Sequence, residues 1–185
     1  RVGGGEGWGR RSGPSSMEVA GNEGSRRQLT FDSVIIGGGA AGMSAASAAR
    51  RVDPTLEVGV LEATGYVAYG LCGIPYYLAG LVPTAEDLLA YPAQHFGSAR
   101  GIDVRLHARA IALDPVGRWV AYRHEGAAHR ISYTSLVVTA GAAPVAVPLP
   151  GLPEDRVFTI RTLEDARALR SLLDAGRIGR AVVVG

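Results

Sequence analysis

Residues 31–42 read Phe-Asp-Ser-Val-Ile-Ile-Gly-Gly-Gly-Ala-Ala-Gly, and this stretch decides the fold. Its apolar run at 33–36 predicts a short buried strand, and the Ala-rich segment that follows at 40–52 predicts a helix. A second apolar run at 57–61 predicts another strand. Strand, helix and strand in this order are typical of an α/β domain with a parallel sheet.

Three glycines between the first strand and the helix have the spacing G-x-G-x-x-G. In this position Gly37 permits a tight turn, Gly39 lets the backbone approach a pyrophosphate, and Gly42 lets the helix pack closely on the sheet. The free N–H groups of the first helical residues, including Ala40 and Ala41, carry a positive partial charge. The glycine turn is therefore predicted to bind the phosphates of a dinucleotide.

An acid follows at the end of the second predicted strand. Glu62 lies 20 residues after Gly42, where a carboxylate can accept both hydroxyls of a ribose and disfavour a 2′-phosphate. We therefore expect residues 31–62 to hold the ADP half of a dinucleotide. The alternative is a glycine-rich turn in an unrelated α/β domain, with Glu62 as an ordinary surface acid.

The amino-acid composition of the chain excludes several kinds of catalytic chemistry. The chain has 185 residues, 47% of them apolar and 19% charged, as in a soluble globular protein. It contains no Lys, which excludes a Schiff base and a P-loop lysine. Cys72 is the single cysteine, which excludes an internal disulfide and a CxxC pair. The histidines lack metal-ligand spacing, so no metal site is predicted, and a reducing cytoplasm is the expected location.

Further elements are predicted downstream of residue 62 from periodicity and turn signals. In chain order they are a helix at 72–79 ended by Gly80, short helices begun at Thr84 and at Tyr91-Pro92, a small antiparallel ribbon at 104–112, 119–123 and 130–133, a buried parallel strand at 136–139, a helix from Thr162 to about residue 175, and a buried strand at 181–184.

Residues 62–80 read Glu-Ala-Thr-Gly-Tyr-Val-Ala-Tyr-Gly-Leu-Cys-Gly-Ile-Pro-Tyr-Tyr-Leu-Ala-Gly. This segment resembles the active-site stretch of the coenzyme A-disulfide reductase and NADH oxidase branch of the flavin-dependent pyridine nucleotide-disulfide oxidoreductases. The resemblance continues through nearly everything beyond residue 30. It implies a Rossmann-like FAD-binding domain, NAD(P)H as electron donor, and a single redox cysteine, Cys72, as nucleophile and electron relay.

The resemblance also implies site residues. Besides the glycine turn and Glu62, backbone near Ala110 would reach the adenine of FAD, and residues Thr139, Ala140 and Gly141 would pass close to the cofactor. Ala140 stands where the family usually has Thr.

Three residues resemble positions that hold coenzyme A and its phosphates in the family: Ser44, Arg51 and Arg100. A guanidinium can donate two parallel hydrogen bonds to a phosphate. The alternative for both arginines is a solvated surface position. Ala68 and Leu71 stand where many coenzyme A-disulfide reductases have polar residues, which weakens the coenzyme A assignment.

Independently of the resemblance, Cys72 lies at the start of a predicted helix, where the helix dipole favours the reactive thiolate. An inert buried cysteine is the alternative.

We interpret residues 1–30 as a disordered tail, residues 31–178 as the first segment of the FAD-binding domain, and residues 179–185 as the start of a truncated NAD(P)-binding domain. The chain is then a fragment that does not turn over NADH alone, and the full-length protein is expected to be a homodimer. Substrates would be small thiol-derived molecules, such as coenzyme A disulfide or a persulfide, or oxygen, with no nucleic-acid or membrane partner. Two alternatives stay open, a flavin-dependent NADH:acceptor reductase without thiol chemistry and a non-catalytic dinucleotide-binding module.

Overall fold

The computed structural model describes residues 29–145, 150–151 and 153–184, which form a mixed α/β structure. The strands are β1 Leu29–Ile36, β2 Val58–Leu61, β3 Ile102–Arg105, β4 Arg109–Asp114, β5 Trp119–His124 and β6 Ala127–Val138, and the helices are α1 Ala40–Val52, α2 Ile74–Leu78, α3 Ala93–Arg100 and α4 Leu163–Asp174. The strands form one sheet in the order β3-β2-β1-β6-β5-β4. Strands β3, β2, β1 and β6 are parallel, whereas β4 and β5 form an antiparallel ribbon with β6. The predicted fold class is confirmed.

The ribbon and the parallel sheet share one long strand. The predicted strands at 130–133 and 136–139 are both parts of β6, which pairs antiparallel with β5 through residues 127–132 and parallel with β1 through residues 131–138. The prediction of two strands was wrong because the polar residues between them interrupt the apolar pattern without interrupting the backbone pairing. The end of β6 is also less buried than predicted, since Val138 is 60% exposed.

The predicted strand at 104–112 is divided into two strands. β3 pairs parallel with β2, and the break falls at His107, whose φ is +53°. The His107 N–H donates to the carbonyl of Thr64 instead of to a neighbouring strand. After this turn, β4 begins the antiparallel ribbon.

One face of the sheet is covered by α1 and α3. Met43 and Ala46 of α1 and Phe96 of α3 pack against apolar residues of the parallel strands. The spacing of Met43 and Ala46 gives α1 a buried stripe, and its bounds agree with the prediction because Gly39 and Asp53 flank it. Helix α1 begins directly after the glycine turn.

A smaller cluster joins α2 to α4. Ile74 and Tyr77 of α2 pack against Leu163 and Ala166 of α4. As predicted, Thr162 caps helix α4: its hydroxyl accepts a hydrogen bond from the N–H of Asp165 in a capping box. The helix that directly follows Cys72 is therefore held by a helix that starts 89 residues later in the chain, at Leu163 rather than Ile74.

The helix predicted at Thr84 and the strand predicted at 181–184 both differ from the structure. Thr84 does not cap a helix: its hydroxyl donates to the carboxylate of Asp87 at 2.7 Å, and only a single 3-10 turn follows at Glu86–Leu88. The predicted strand at 181–184 is not formed, and its three valines are 82–91% exposed. A strand needs a paired neighbour, and none lies beside these residues in the described part of the chain. Strand β1 begins at Leu29 and so includes the last two residues of the predicted tail, and residues 1–28 lie outside the described residues.

Candidate functional site

The glycine turn connects β1 to α1 and has two tightly packed positions and one open one. A Cβ added to Gly37 would lie 2.3 Å from the carbonyl oxygen of Thr139, and one added to Gly42 would lie 1.9 Å from the carbonyl oxygen of Gly37. Gly37 also has a φ of +101°. A Cβ added to Gly39 would meet no described atom within 4 Å. The turn therefore leaves open space at the middle glycine.

The start of α1 is free to bind an anion. Its N-cap residue, Gly39, makes no side-chain capping hydrogen bond, so the first N–H groups of the helix, including those of Ala40 and Ala41, are not satisfied by a cap. The aligned peptide dipoles favour a negative group at this end. A diphosphate fits the open space and the partial charge.

Glu62 closes one side of the turn and is only 9% exposed. Its Oε2 accepts a hydrogen bond from the N–H of Gly38 at 2.6 Å, and its Oε1 accepts from the N–H of Thr64 at 2.7 Å. The carboxylate thus lies against the turn at the end of β2. This position does not support the alternative of an ordinary surface acid.

The backbone after β2 also contacts the start of the ribbon. The N–H of Ala108 donates to the carbonyl of Glu62 at 2.8 Å, which brings the beginning of β4 beside Glu62. Ala110 lies two residues further and is half-buried against the core on the second face of the sheet. Its assignment to adenine stays a prediction.

The segment after β6 packs against the glycine turn. The hydroxyl of Thr139 lies 2.9 Å from the carbonyl oxygen of Gly37, and its N–H donates to Ile36 at 2.8 Å. Ala140 and Gly141 follow as exposed residues, and Gly141 has a φ of +71°. Residues 139–141 therefore line the carboxyl edge of the parallel strands, where α/β domains bind ligands.

Arg161 is a charged residue at this edge that the sequence analysis did not single out. Its Nε donates to the carbonyl of Ala142 at 2.9 Å, and a Cβ on Gly141 would lie 2.7 Å from its Nη2. The only signal in the sequence is its place directly before the capped helix α4. The structure adds a guanidinium to the turn predicted to face the cofactor.

A cavity of about 460 Å³ opens between α1, α3 and the segment before Cys72. It brings together all three predicted substrate residues, Ser44 and Arg51 from α1 and Arg100 from α3. Ser47, Tyr69 and Tyr91 also line it and were missed, because they come from three separate parts of the chain: α1, the segment before Cys72 and the residues just before α3. Residues that are distant in the sequence thus line one cavity.

Arg100 is held in place inside this cavity. Its Nη1 donates to the hydroxyl of Ser47 at 2.6 Å, and its guanidinium lies over the rings of Tyr91 and Phe96 at 5.7 and 5.4 Å. It is half-buried and does not fit the alternative of a solvated surface arginine. Arg51, in contrast, is exposed and has no hydrogen-bond or ion-pair partner within the described ranges.

Tyr69 contributes a phenol to the cavity wall. Burial raises the pKa of Tyr69, and the nearby carboxylates of Glu164 and Glu62 raise it further. The hydroxyl therefore stays protonated at neutral pH and can donate a hydrogen bond. Ala68, also in the lining, leaves its neighbourhood apolar.

Cys72 is a free, exposed cysteine, which does not fit the alternative of a buried one, and its reactivity stays a prediction. The predicted helix at 72–79 is shorter than expected: Cys72 lies in a 3-10 turn, Leu71–Gly73, and α2 starts only at Ile74. The structure places Gly70, two residues before Cys72, in the cavity lining but not Cys72 itself. Cys72 thus follows the cavity lining by two residues in the chain.

A glycine turn with an open helix start, a buried acid at the end of the next strand and a parallel sheet define a dinucleotide-binding α/β domain. The sequence comparison assigns its family. A profile of the pyridine nucleotide-disulphide oxidoreductases matches residues 31–185, and the chain belongs to this family.

Two similar proteins have names that state an activity. The chain is 41% identical over 152 residues to the CoA-dependent NAD(P)H sulfur oxidoreductase of Pyrococcus abyssi, covering 82% of this chain and 33% of that protein. It is 27% identical over 154 residues to the coenzyme A disulfide reductase of Staphylococcus haemolyticus, covering 82% and 34%. The chain thus spans about a third of the length of these relatives.

A solved structure shows the same fold. The chain is similar to an NAD-dependent persulfide reductase from A. fulgidus, with a TM-score of 0.73 and 33% identity over 80% of this chain and 28% of that one.

Within the described residues, no helix has the length and apolar character needed to cross a membrane, and no cluster of three or more His, Cys, Asp or Glu could hold a metal.

Proposed function

We propose that this chain supplies the FAD-binding part and the reactive cysteine of an NAD(P)H-dependent reductase that acts on a disulfide or persulfide of coenzyme A. The observation that carries the proposal is the cavity between α1 and α3. It joins Ser44, Arg51 and Arg100 to the segment that leads into Cys72. The names of the similar proteins from Pyrococcus abyssi and Staphylococcus haemolyticus support this substrate class.

The residues at the glycine turn fit FAD. The open space at Gly39 and the uncapped start of α1 suit its diphosphate, and the carboxylate of Glu62 suits its ribose. Backbone near Ala110 would meet the adenine, and residues 139–141 would pass close to the flavin. When bound, FAD supplies a two-electron store between NAD(P)H and the thiol.

Cys72 would carry out the exchange. Its thiolate attacks one sulfur of coenzyme A disulfide, forming a Cys72–coenzyme A mixed disulfide while the original S–S bond breaks and one coenzyme A leaves as thiolate. Two electrons from NAD(P)H and one proton then return Cys72 to the thiolate and release the second coenzyme A as thiol. The exposure of Cys72 permits the approach of a large substrate.

The arginines of the cavity would hold the charged end of coenzyme A. Arg100 is already oriented by Ser47, and exposed Arg51 has its donors free for phosphate. The apolar side chain of Ala68 and the protonated phenol of Tyr69 would face the thiol-bearing arm. Specificity would then come from phosphate contacts at one end and sulfur chemistry at the other.

Replacing the thiol tests this function. In the full-length flavoprotein, Cys72→Ser is expected to abolish NAD(P)H-dependent reduction of coenzyme A disulfide while reduction of ferricyanide continues, because ferricyanide needs no thiol. Equal disulfide reduction by wild type and variant would favour an NADH:acceptor reductase without thiol chemistry. Purified protein that takes up no FAD would favour a non-catalytic module.

A further inference from the structure

Arg50 lies directly before the predicted phosphate-binding Arg51 but has a different environment. It is half-buried, its Nε donates to the carbonyl of Arg100 at 2.8 Å, and its Nη1 donates to the carbonyls of Leu56, at 2.7 Å, and Pro54. No carboxylate in the described part of the chain forms an ion pair with it. The guanidinium therefore connects α1 and its following loop to the end of α3 by backbone contacts.

Gly101, the residue after Arg100, leaves room for the Arg50 guanidinium because of its backbone conformation and its lack of a side chain. Gly101 ends α3 with a φ of +63°, and a Cβ there would lie 2.5 Å from Nη2 of Arg50. The guanidinium of Arg50 thus occupies space that only a glycine leaves free. A substitution at Gly101 would push Arg50 away without removing any charge.

The backbone and the side chain of Arg100 both form hydrogen bonds with residues of α1. Arg50 holds its backbone carbonyl, and Ser47, three residues before Arg50 on α1, accepts a hydrogen bond from its side chain at 2.6 Å. Residues three apart lie on the same helix face. A side chain restrained in this way loses little conformational freedom when it binds a ligand.

We infer that Arg50 is a positioning residue, which fixes Arg100 for the phosphates of coenzyme A without touching the ligand itself. This inference rests on the proposed function of the cavity. A second cavity, of about 580 Å³, extends between Arg50, Arg51 and Arg100, so a direct contact of Arg50 with the ligand is the competing account.

A double-mutant cycle separates the two accounts. Binding of coenzyme A to the reduced full-length flavoprotein is measured by calorimetry for wild type, Arg50→Gln, Arg100→Ala and the double variant. If Arg50 acts through Arg100, Arg50→Gln raises Kd roughly five- to tenfold in the wild-type background but less than about twofold in the Arg100→Ala background. The KM for coenzyme A disulfide should rise with Kd, while FAD content and kcat stay near wild type.

Gly101→Ala is a second variant that keeps every charge. It is expected to raise Kd in the same direction because its Cβ displaces Arg50, and it serves if Arg50→Gln does not fold. Equal effects of Arg50→Gln in both backgrounds would mean direct ligand contact and would overturn the inference, as would an unchanged Kd in Arg50→Gln and Gly101→Ala. If Arg51→Gln and Arg100→Ala both leave Kd unchanged, the proposed coenzyme A site itself is wrong.

Discussion

The hydroxyl of Thr139 donates a hydrogen bond to the carbonyl oxygen of Gly37 across 2.9 Å. The two residues are 102 positions apart in the chain, yet the carbonyl of Thr139 also lies where a side chain on Gly37 would have to go. The end of β6 and the glycine turn therefore determine each other's shape. A change at Thr139 should affect the binding of a ligand that the turn holds.

Thr139→Val keeps the shape of the side chain but removes the donor. We expect it to lower the free energy of unfolding by about 1 kcal/mol, because the Gly37 carbonyl loses its partner, and to raise the Kd for FAD several-fold. Thr134→Val is the matched control, since Thr134 is an exposed residue of β6, the strand that Thr139 directly follows. Urea denaturation and FAD titration of the apoprotein measure both quantities. Equal effects of the two substitutions would contradict the account.

Gly39 and Gly42 should respond differently to the same substitution. Gly42→Ala places a Cβ 1.9 Å from backbone and should destabilise the apoprotein by about 3 kcal/mol or prevent folding. Gly39→Ala meets no described atom within 4 Å, so the apoprotein should keep its stability while FAD binding weakens sharply. Thermal unfolding with and without FAD distinguishes the two. Normal FAD affinity in Gly39→Ala would show that the diphosphate binds elsewhere.

Glu62→Gln should weaken the turn and the cofactor together. The carboxylate accepts hydrogen bonds from the N–H groups of Gly38 and Thr64, and an amide NH₂ cannot accept one of them. We expect a loss of about 2 kcal/mol in the free energy of unfolding and a lower affinity for FAD. Glu57→Gln, at an exposed position just before β2, is the control. A variant as stable as this control would contradict the structural role of Glu62.

The start of α4 predicts a pH dependence. Burial opposes ionisation of Asp165, but hydrogen bonds from Thr162 and from the N–H of Arg161 outweigh it and lower the pKa of Asp165 from its ordinary value of 3.8. A carboxyl with a lowered folded pKa stabilises the fold above its unfolded pKa, and this contribution is lost as the pH falls through the folded pKa.

Asp165→Asn should therefore cost about 1 kcal/mol near pH 7. The difference from wild type should stay constant down to about pH 5 and shrink below about pH 4. Denaturant unfolding at several pH values measures it, with exposed Asp155→Asn as the control. A difference that grows as the pH falls would have the wrong sign.

Local signals made part of the fold predictable. Helix α1 has the predicted bounds because a glycine turn precedes it and Asp53-Pro54 follows it, and α4 begins at Thr162 because Thr162 and Asp165 form a capping box. Strand β6 was predicted as two strands because Thr134 and Ser135 interrupt its apolar pattern, whereas its pairing with β1 along one edge and with β5 along the other keeps the strand continuous. Pairing between distant strands decided this outcome.

The site was predictable where the chemistry lies in one short segment. The glycine turn, Glu62 and Cys72 are each recognisable from neighbouring residues. Ser47, Tyr91 and Arg50 have no such local signal, because their roles depend on α3 packing beside α1. Their contribution becomes visible only when the two helices are placed together.

The central claim is that Cys72 exchanges sulfur with a disulfide of coenzyme A, and intact-protein mass spectrometry tests it most directly. The full-length flavoprotein, first reduced and then incubated with coenzyme A disulfide, should gain the mass of one coenzyme A in mixed disulfide, mapped by proteolysis to the peptide that contains Cys72. The Cys72→Ser variant should gain none. Turnover of coenzyme A disulfide by a protein that never forms this adduct, or an adduct that persists in the variant, would contradict the account.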